Sequence, residues 1–439
     1  MSIMLRAMGL LLALAASADA AEPTVYANVN LIDGTGAALK PGMAIVVRDG
    51  RIVAVEPMSA VKPGTPAKDM HGAYALPGLI NSHVHLATSP NLPFAEAILR
   101  RDVYSGVTAV RDMAGDAREL GFLAREALIG GTPAPDVYYA ALMAGPEFFK
   151  DPRTVDSTRG LTPGEAPWMR AITAQTNMPL AIAEAKGTGA TAIKIYADLP
   201  AKLVDAIASE AHRQHLLVWA HAAVFPASPR DVIESGADVV SHVCMLAYQA
   251  SASMPRAYHG RAAVEAAKFA GDSPVTESLF AQMKRRGTIL DATLWVYEAM
   301  WKVKNAQPPP YCSLALAEKL AGEAYRAGVS ISAGTDGESE WNAPYNALGD
   351  EMAYLVHGAG MSPMDAIRAA TLIGARTIGQ ENDMGTIAPG KLANIVFLKK
   401  NPLADIANIK TVTLTLKRGH EFPRRAYKPI AKDEAKGEM

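Results

Sequence analysis

Two histidines one residue apart, His83 and His85, end the apolar run Leu76-Pro-Gly-Leu-Ile-Asn-Ser-His-Val-His-Leu. Alternate side chains of a strand share a face, so both imidazoles can converge on one metal ion where the strand stops. An H-x-H pair alone is a weak signal, because paired histidines also occupy ordinary solvated surfaces. Four further residues strengthen it. Lys194 lies between Ile193 and Ile195, His221 follows Val218-Trp-Ala, His242 follows Val239-Val-Ser, and Asp336 follows Ala333-Gly-Thr. Neutral imidazole and carboxylate are good zinc ligands. Together the four histidines and the aspartate would serve two divalent ions, which need an anion between them. Lys194 is the odd member, since a buried ammonium among cations is strongly disfavoured. A lysine that has reacted with carbon dioxide is a carbamate, whose two oxygens can bridge both metals. Alone, Lys194 would read as a snorkelling or ion-paired side chain; in this company the carbamate is the stronger reading.

Placing these side chains together requires a scaffold that aligns strand ends. Apolar stretches read as strands at residues 76–83, 107–112, 137–142, 192–196, 216–221, 239–242, 288–293 and 329–336, with helix-like segments between most of them. Eight strands alternating with helices predict an α/β fold, a (β/α)8 TIM barrel over residues 76–385. His83, His221, His242 and Asp336 then fall at C-terminal strand ends, where such barrels bind substrates. Long non-periodic loops follow the third, sixth and eighth strands, at residues 143–170, 243–276 and 337–347. They carry Phe148, Phe149, Met245, Tyr248 and Trp341, enough apolar surface for an aromatic or aliphatic acyl group. Arg153, Arg159 and Arg256 also lie there and could meet a carboxylate, but exposed arginines are usually just solvated, and none is assigned a role. Both chain ends are strand-rich, with Asp49-Gly50 a strong hairpin turn. Residues 21–75 and 386–427 are expected to pair into one small composite β-sandwich, followed by a charged, frayed tail at 428–439.

Composition narrows the function. Of the 439 residues 49% are hydrophobic and 20% charged, an ordinary globular balance, and the net charge of −1 gives no case for nucleic acid. Arg6, the short apolar core Gly9-Leu-Leu-Leu-Ala-Leu-Ala-Ala16 and the small-x-small triplet Ala18-Asp19-Ala20 read as a signal peptide over residues 1–20. That core is too short for a membrane anchor, so the expected location is periplasmic or secreted. Cys244 and Cys312 sit in no CxxC motif; two unpaired thiols are the preferred expectation, with a disulfide the alternative that export would permit. A homo-oligomer is neither indicated nor excluded.

The segments Leu76-Pro-Gly-Leu-Ile-Asn-Ser-His-Val-His, Ile193-Lys-Ile-Tyr, Ala220-His-Ala, Ser241-His-Val, Gly334-Thr-Asp and Gly385-Thr-Ile-Ala-Pro-Gly-Lys-Leu-Ala-Asn-Ile-Val run in the order found in the amidohydrolase superfamily. Over residues 24–420 the chain resembles that superfamily, most of all its imidazolonepropionase-like and Xaa-Pro dipeptidase-like group. The resemblance implies that His83, His85 and Asp336 hold one ion, His221 and His242 the other, with carboxylated Lys194 bridging. It further implies hydrolysis of a small amide, a dipeptide or N-acyl amino acid, with a metal-bridging hydroxide as nucleophile and Asp336 as acid and base. Two departures stand out. Dipeptidases of the group carry Tyr two residues past the strand-five histidine, where this chain has Ala223, leaving Tyr196, Tyr248 or another residue to polarise the carbonyl. Asn394 replaces the usual Asp in the β-domain. The alternatives are a lactonase, a cyclic-amide hydrolase or a bulky aromatic amide hydrolase on the same scaffold. A deaminase is disfavoured by Lys194, and a non-catalytic binding protein would have lost ligands, which this chain has not.

Overall fold

The computed structural model describes residues 22–271, 273–303 and 310–436. Eight parallel strands form the central barrel: β1 (Leu79–Val84), β2 (Val107–Asp112), β3 (Asp136–Ala144), β4 (Ala192–Ile195), β5 (Leu217–His221), β6 (Val239–Ser241), β7 (Ile289–Asp291) and β8 (Ile331–Ser332). Each pairs with the next in parallel. Two backbone bonds bring β8 back toward β1, from the Ser82 N–H to the Ala333 carbonyl at 2.9 Å and from the Asp336 N–H to the His83 carbonyl at 3.0 Å. Strands covered on both faces need continuous apolar sequence, and every residue of β1, β2 and β4 is buried. The seventh and eighth strands are shorter than the sequence pattern suggests. Thr293 and Asp336 leave extended geometry in the left-handed region, at φ 53° each.

A second, mixed sheet comes from the two ends of the chain. Its strand order runs His420–Pro423, Val412–Lys417, Ile395–Leu398, Tyr74–Pro77, Thr24–Leu31, Lys40–Arg48, Arg51–Pro57, with Lys68–Asp69 beside Thr24–Leu31. Asp49 and Gly50 form the expected turn, both at positive φ (50° and 73°) as a two-residue hairpin loop of matching twist requires. Tyr74–Pro77 pairs with Ile395–Leu398 in this sheet, so the barrel begins at Leu79 rather than at residue 76. Asp136 at the start of β3 ties the sheets together, accepting Lys417 at 3.0 Å and Arg418 at 2.9 Å. Asn394 Oδ1 accepts the Arg418 N–H at 2.7 Å, while its buried Nδ2 has no partner. An acceptor-only Asp would satisfy the same bond without that orphan donor.

Two expectations need correction. Cys244 and Cys312 are bonded to each other, with Cα atoms 6.3 Å apart. Their 68-residue separation hid this from local sequence reading, because only the packing of the loop after β6 against residues 310–312 brings them together. Cys244→Ser with Cys312→Ser is expected to cost about 2–4 kcal/mol of stability. Calorimetry of the double variant would show it as a lowered Tm, and an unchanged Tm would mean the crosslink restrains nothing that unfolds. The described part of the tail, residues 428–436, is docked, not frayed: Ile430 and Ala435 are buried, and Glu434 pairs with Arg100 at 2.9 Å. The signal-peptide segment lies outside the described residues. Among the described residues no helix is long and apolar enough to cross a membrane.

Candidate metal centre

Strand ends deliver the polar residues to the C-terminal face of the barrel. His83 ends β1 nearly buried, with Nε2 3.2 Å from Asp336 Oδ1 and Nδ1 2.7 Å from Asp291 Oδ2. His85, just past the strand, places Nε2 3.1 Å from the same Asp336 oxygen. His242 follows β6 in left-handed geometry at φ 72°, with Nδ1 3.6 Å from Asp336 Oδ2 and 3.0 Å from Thr293 Oγ1. Ligand atoms of His83, His242 and Asp336 lie within 4.8 Å of one another. His221 ends β5 with its ring centroid 4.8 Å from that of His242. Lys194 projects from β4 at the level of Leu142 and Trp219 on the neighbouring strands. Five of the six candidates thus crowd around Asp336 and His242, while Lys194 Nζ bonds to none of them.

Non-glycine residues at positive φ are uncommon, and six of them rim this face: Ala114, Asp198, Phe225, His242, Thr293 and Asp336. Backbone of this kind persists only where surrounding packing enforces it, and it gathers at functional sites. Asp112, buried at the end of β2, holds the turn after the histidine pair by accepting the Leu86 N–H at 2.6 Å.

Electrostatics fit metal ligation. Burial, then Lys194 and His242, push His221 well below the usual imidazole range, and burial drives His242 down to about 3. Both are therefore neutral, the form that binds metal. Burial opposes a charged His83, but Asp336 and Asp291 outweigh it and raise its pKa. Burial would lift the Asp336 carboxyl, yet His83 and His242 hold it well below the ordinary carboxylate range. Lys194 is lowered to about 7 by burial and then by Arg111, so much of it is neutral amine near neutral pH. Three buried polar atoms at the site lack any partner: Lys194 Nζ, His221 Nδ1 and Asp291 Oδ1. Orphans of this kind are costly unless something occupies the space between them. The donor set of imidazoles and a carboxylate at His83, His242 and Asp336 therefore fits a divalent ion.

Asp291, on β7, was missed by the sequence reading although it lies within the expected seventh strand. Fully buried, it accepts Arg111 at 2.8 Å and Ser241 Oγ at 3.0 Å besides its contact with His83. The only local signal was a carboxylate in an otherwise apolar strand.

Above the cluster opens a cavity of about 690 Å³. The loop after β3 contributes Phe148 and Arg153, and the loop after β6 contributes Met245, Tyr258 and Arg261. The segment after β7, not among the loops expected to matter, adds Val296, Met300 and Tyr311. Tyr196 lines the cavity with its ring 4.0 Å from that of His221, and burial holds its phenol protonated. Tyr248 instead donates to the Ala262 carbonyl at 2.7 Å beneath the loop. Arg159 and Arg256 are exposed, and Phe149 and Trp341 do not line this cavity.

A near-closed parallel barrel with its polar cluster on the C-terminal face defines a barrel enzyme. The sequence profile of the amidohydrolase family matches residues 74–421, and the chain belongs to that family of hydrolases acting on amide bonds. It is similar to the ochratoxinase of Aspergillus niger, with 27% identity over 468 residues covering 95% of this chain and 90% of the relative. The crystal structure of that ochratoxinase superposes with a TM-score of 0.72 at 21% identity, covering 96% of this chain and all of the other. A Xaa-Pro dipeptidase with bound methionine gives a TM-score of 0.72 at 21% identity, covering 92% of this chain and all of that one.

Proposed function

We propose that this protein is an exported, binuclear metal-dependent amidohydrolase that cleaves the amide bond of a dipeptide or N-acyl amino acid. The observation that carries the reading is Lys194, a buried amine without a partner among the described residues, close enough to His221, His242 and Asp336 for their charges to interact. His83, His85 and Asp336 would hold one ion, His221 and His242 the other, with carboxylated Lys194 between them. Zinc is the default metal for these ligands. Bound divalent ions bring the pKa of water toward neutrality and polarise a carbonyl oxygen. Asp336, ionised at rest, takes the proton released by the attacking water and returns it to the leaving nitrogen. Tyr196, its phenol kept protonated by burial, would donate a hydrogen bond to the scissile carbonyl oxygen, the part Ala223 cannot play. The disulfide supports an oxidising compartment, which agrees with the signal-peptide reading.

Cavity size favours a second reading on the same machinery. About 690 Å³ is ample for a drug-sized ligand, and aromatic walls together with the likeness to ochratoxinase suit a bulky aromatic amide. A panel of dipeptides, N-acyl amino acids and aryl amides, assayed for amine release by metal-loaded protein, tests both. Hydrolysis lost on chelation is the expected outcome; silence across the panel with two metals bound per chain would overturn the amidase reading. Ala223 is fully buried beside β5. Ala223→Tyr is therefore expected to overpack by about 1–3 kcal/mol without improving dipeptide turnover. A gain in kcat/KM on dipeptides would show instead that a phenol was missing.

A further inference from the structure

Arg261 is the unexplained cation of the cavity. Its guanidinium carbon lies 4.1 Å from the Tyr258 ring centre and 4.6 Å from that of Tyr311, so it is clasped between two aromatic faces. Among the described residues its one hydrogen bond runs from Nη1 to the Tyr258 carbonyl at 2.6 Å, and its buried Nε has no partner. Among the described residues no carboxylate pairs with it, and the groups that act on its charge are Tyr258, Tyr311 and Tyr248. Arg153, also at the cavity, differs. Its Nε and Nη2 are both spent on Asp151 at 3.1 and 2.7 Å, and that carboxylate also meets His259 at 3.2 Å.

A half-buried cation whose buried donor is left unpaired is costly unless an anion completes it. Guanidinium presents a fork that matches a carboxylate, and stacking on aromatic faces fixes the plane of that fork. The position also suits a substrate. The Tyr258 ring that stacks on Arg261 also lies at 25° to the His221 ring, with centroids 5.6 Å apart. Arg261 is therefore one aromatic ring away from a candidate metal ligand. In an N-acyl amino acid the carboxylate is separated from the amide nitrogen by a single carbon, so a short span between anchor and reacting centre is what such a substrate needs. The clasp is pinned from three directions. Asp198 accepts the Tyr258 N–H at 2.7 Å, the Tyr311 hydroxyl meets that of Tyr297 at 3.1 Å, and neighbouring Cys312 is bonded to Cys244.

We infer that Arg261, clasped by Tyr258 and Tyr311, is the receptor for the free α-carboxylate on the leaving side of the substrate. The inference rests on the amide-hydrolase reading for its reaction, though not for its binding. It makes the enzyme selective for acylated amino acids over their carboxamides.

Two measurements on metal-loaded protein test it. Turnover of N-acetyl-L-leucine is compared with that of N-acetyl-L-leucinamide, and calorimetry follows the binding of 4-methylpentanoate, an acid with no amide to cleave. Wild-type protein is expected to prefer the acid substrate and to bind 4-methylpentanoate. Arg261→Met, which keeps an apolar chain between the rings, should raise KM for the acid ~10- to 100-fold, the range for losing a charged hydrogen bond. It should also weaken 4-methylpentanoate binding by a like factor, with Arg261→Lys intermediate; unchanged metal content and Tm show that the variants are folded. Acid binding that depends on Arg261 in a protein inert toward every amide would support the receptor and overturn the amidase reading. Turnover without preference for the acid, or 4-methylpentanoate binding equal in wild type and Arg261→Met, would overturn the receptor and leave the amidase reading standing. No 4-methylpentanoate binding to wild type would also overturn the receptor.

Discussion

Lys194→Ala is expected to lose most of its bound metal and nearly all activity while remaining a folded barrel. Wild-type Lys194 Nζ is buried at the level of Leu142 and Trp219 and meets no hydrogen-bond partner. Its low pKa, about 7 through burial and Arg111, leaves a free amine able to attack carbon dioxide, a step that would form the N–C bond and release one proton. Alanine would remove the proposed bridging anion and leave four imidazoles with Asp336 as their carboxylate. Loss of a residue that only orients a ligand costs ~10–100-fold in metal affinity, and loss of a bridge should exceed that. Folding should survive, because the substitution also removes an orphan polar atom whose burial costs about 1–3 kcal/mol, offsetting part of the cavity it leaves. Elemental analysis, turnover and Tm of the variant check all three points. Metal loading of the wild type should also slow in buffer stripped of carbon dioxide and recover with bicarbonate. Full activity with two metals per chain in Lys194→Ala would overturn the carbamate bridge.

Asp336→Asn should lower kcat by ~10²- to 10⁴-fold, the range for removing a general acid–base group. Asparagine keeps the shape that meets His83 and His85 at 3.2 and 3.1 Å but cannot accept the nucleophile's proton. The carboxylate also supplies the main charge that raises His83. In the variant that charge is gone, and the His83 pKa should fall, which a pH titration of its NMR resonances in metal-free protein would show. A variant within a few-fold of wild-type kcat would remove Asp336 from proton transfer and leave it only a ligand.

Legibility from sequence followed how local each feature is. His83, His85, His221, His242 and Asp336 stood out as candidates because each ends an apolar stretch, and a parallel barrel must align strand ends. Lys194 was found by its oddness inside β4. Asp291 escaped because it reads as one more polar residue near a strand end, and its meaning lies in Arg111 and His83, 180 and 208 residues away. Tyr258 and Arg261 escaped for another reason. Residues 243–276 have no periodicity, so nothing in that stretch indicates which side chains turn inward.

By itself, then, the sequence determined the alternation of strands and helices, the pairing of the two chain ends into one sheet, the Asp49-Gly50 turn and the polar residues at the barrel mouth. Those follow from hydrophobic period and turn chemistry, which act over a few residues. Tertiary structure alone decided that Cys244 meets Cys312, that the tail docks through Ile430 and Glu434, and that Arg261 lies clasped near His221 with no carboxylate partner among the described residues. These depend on long loops packing against one another, where contact energy comes from neighbours distant in the chain and leaves no local pattern.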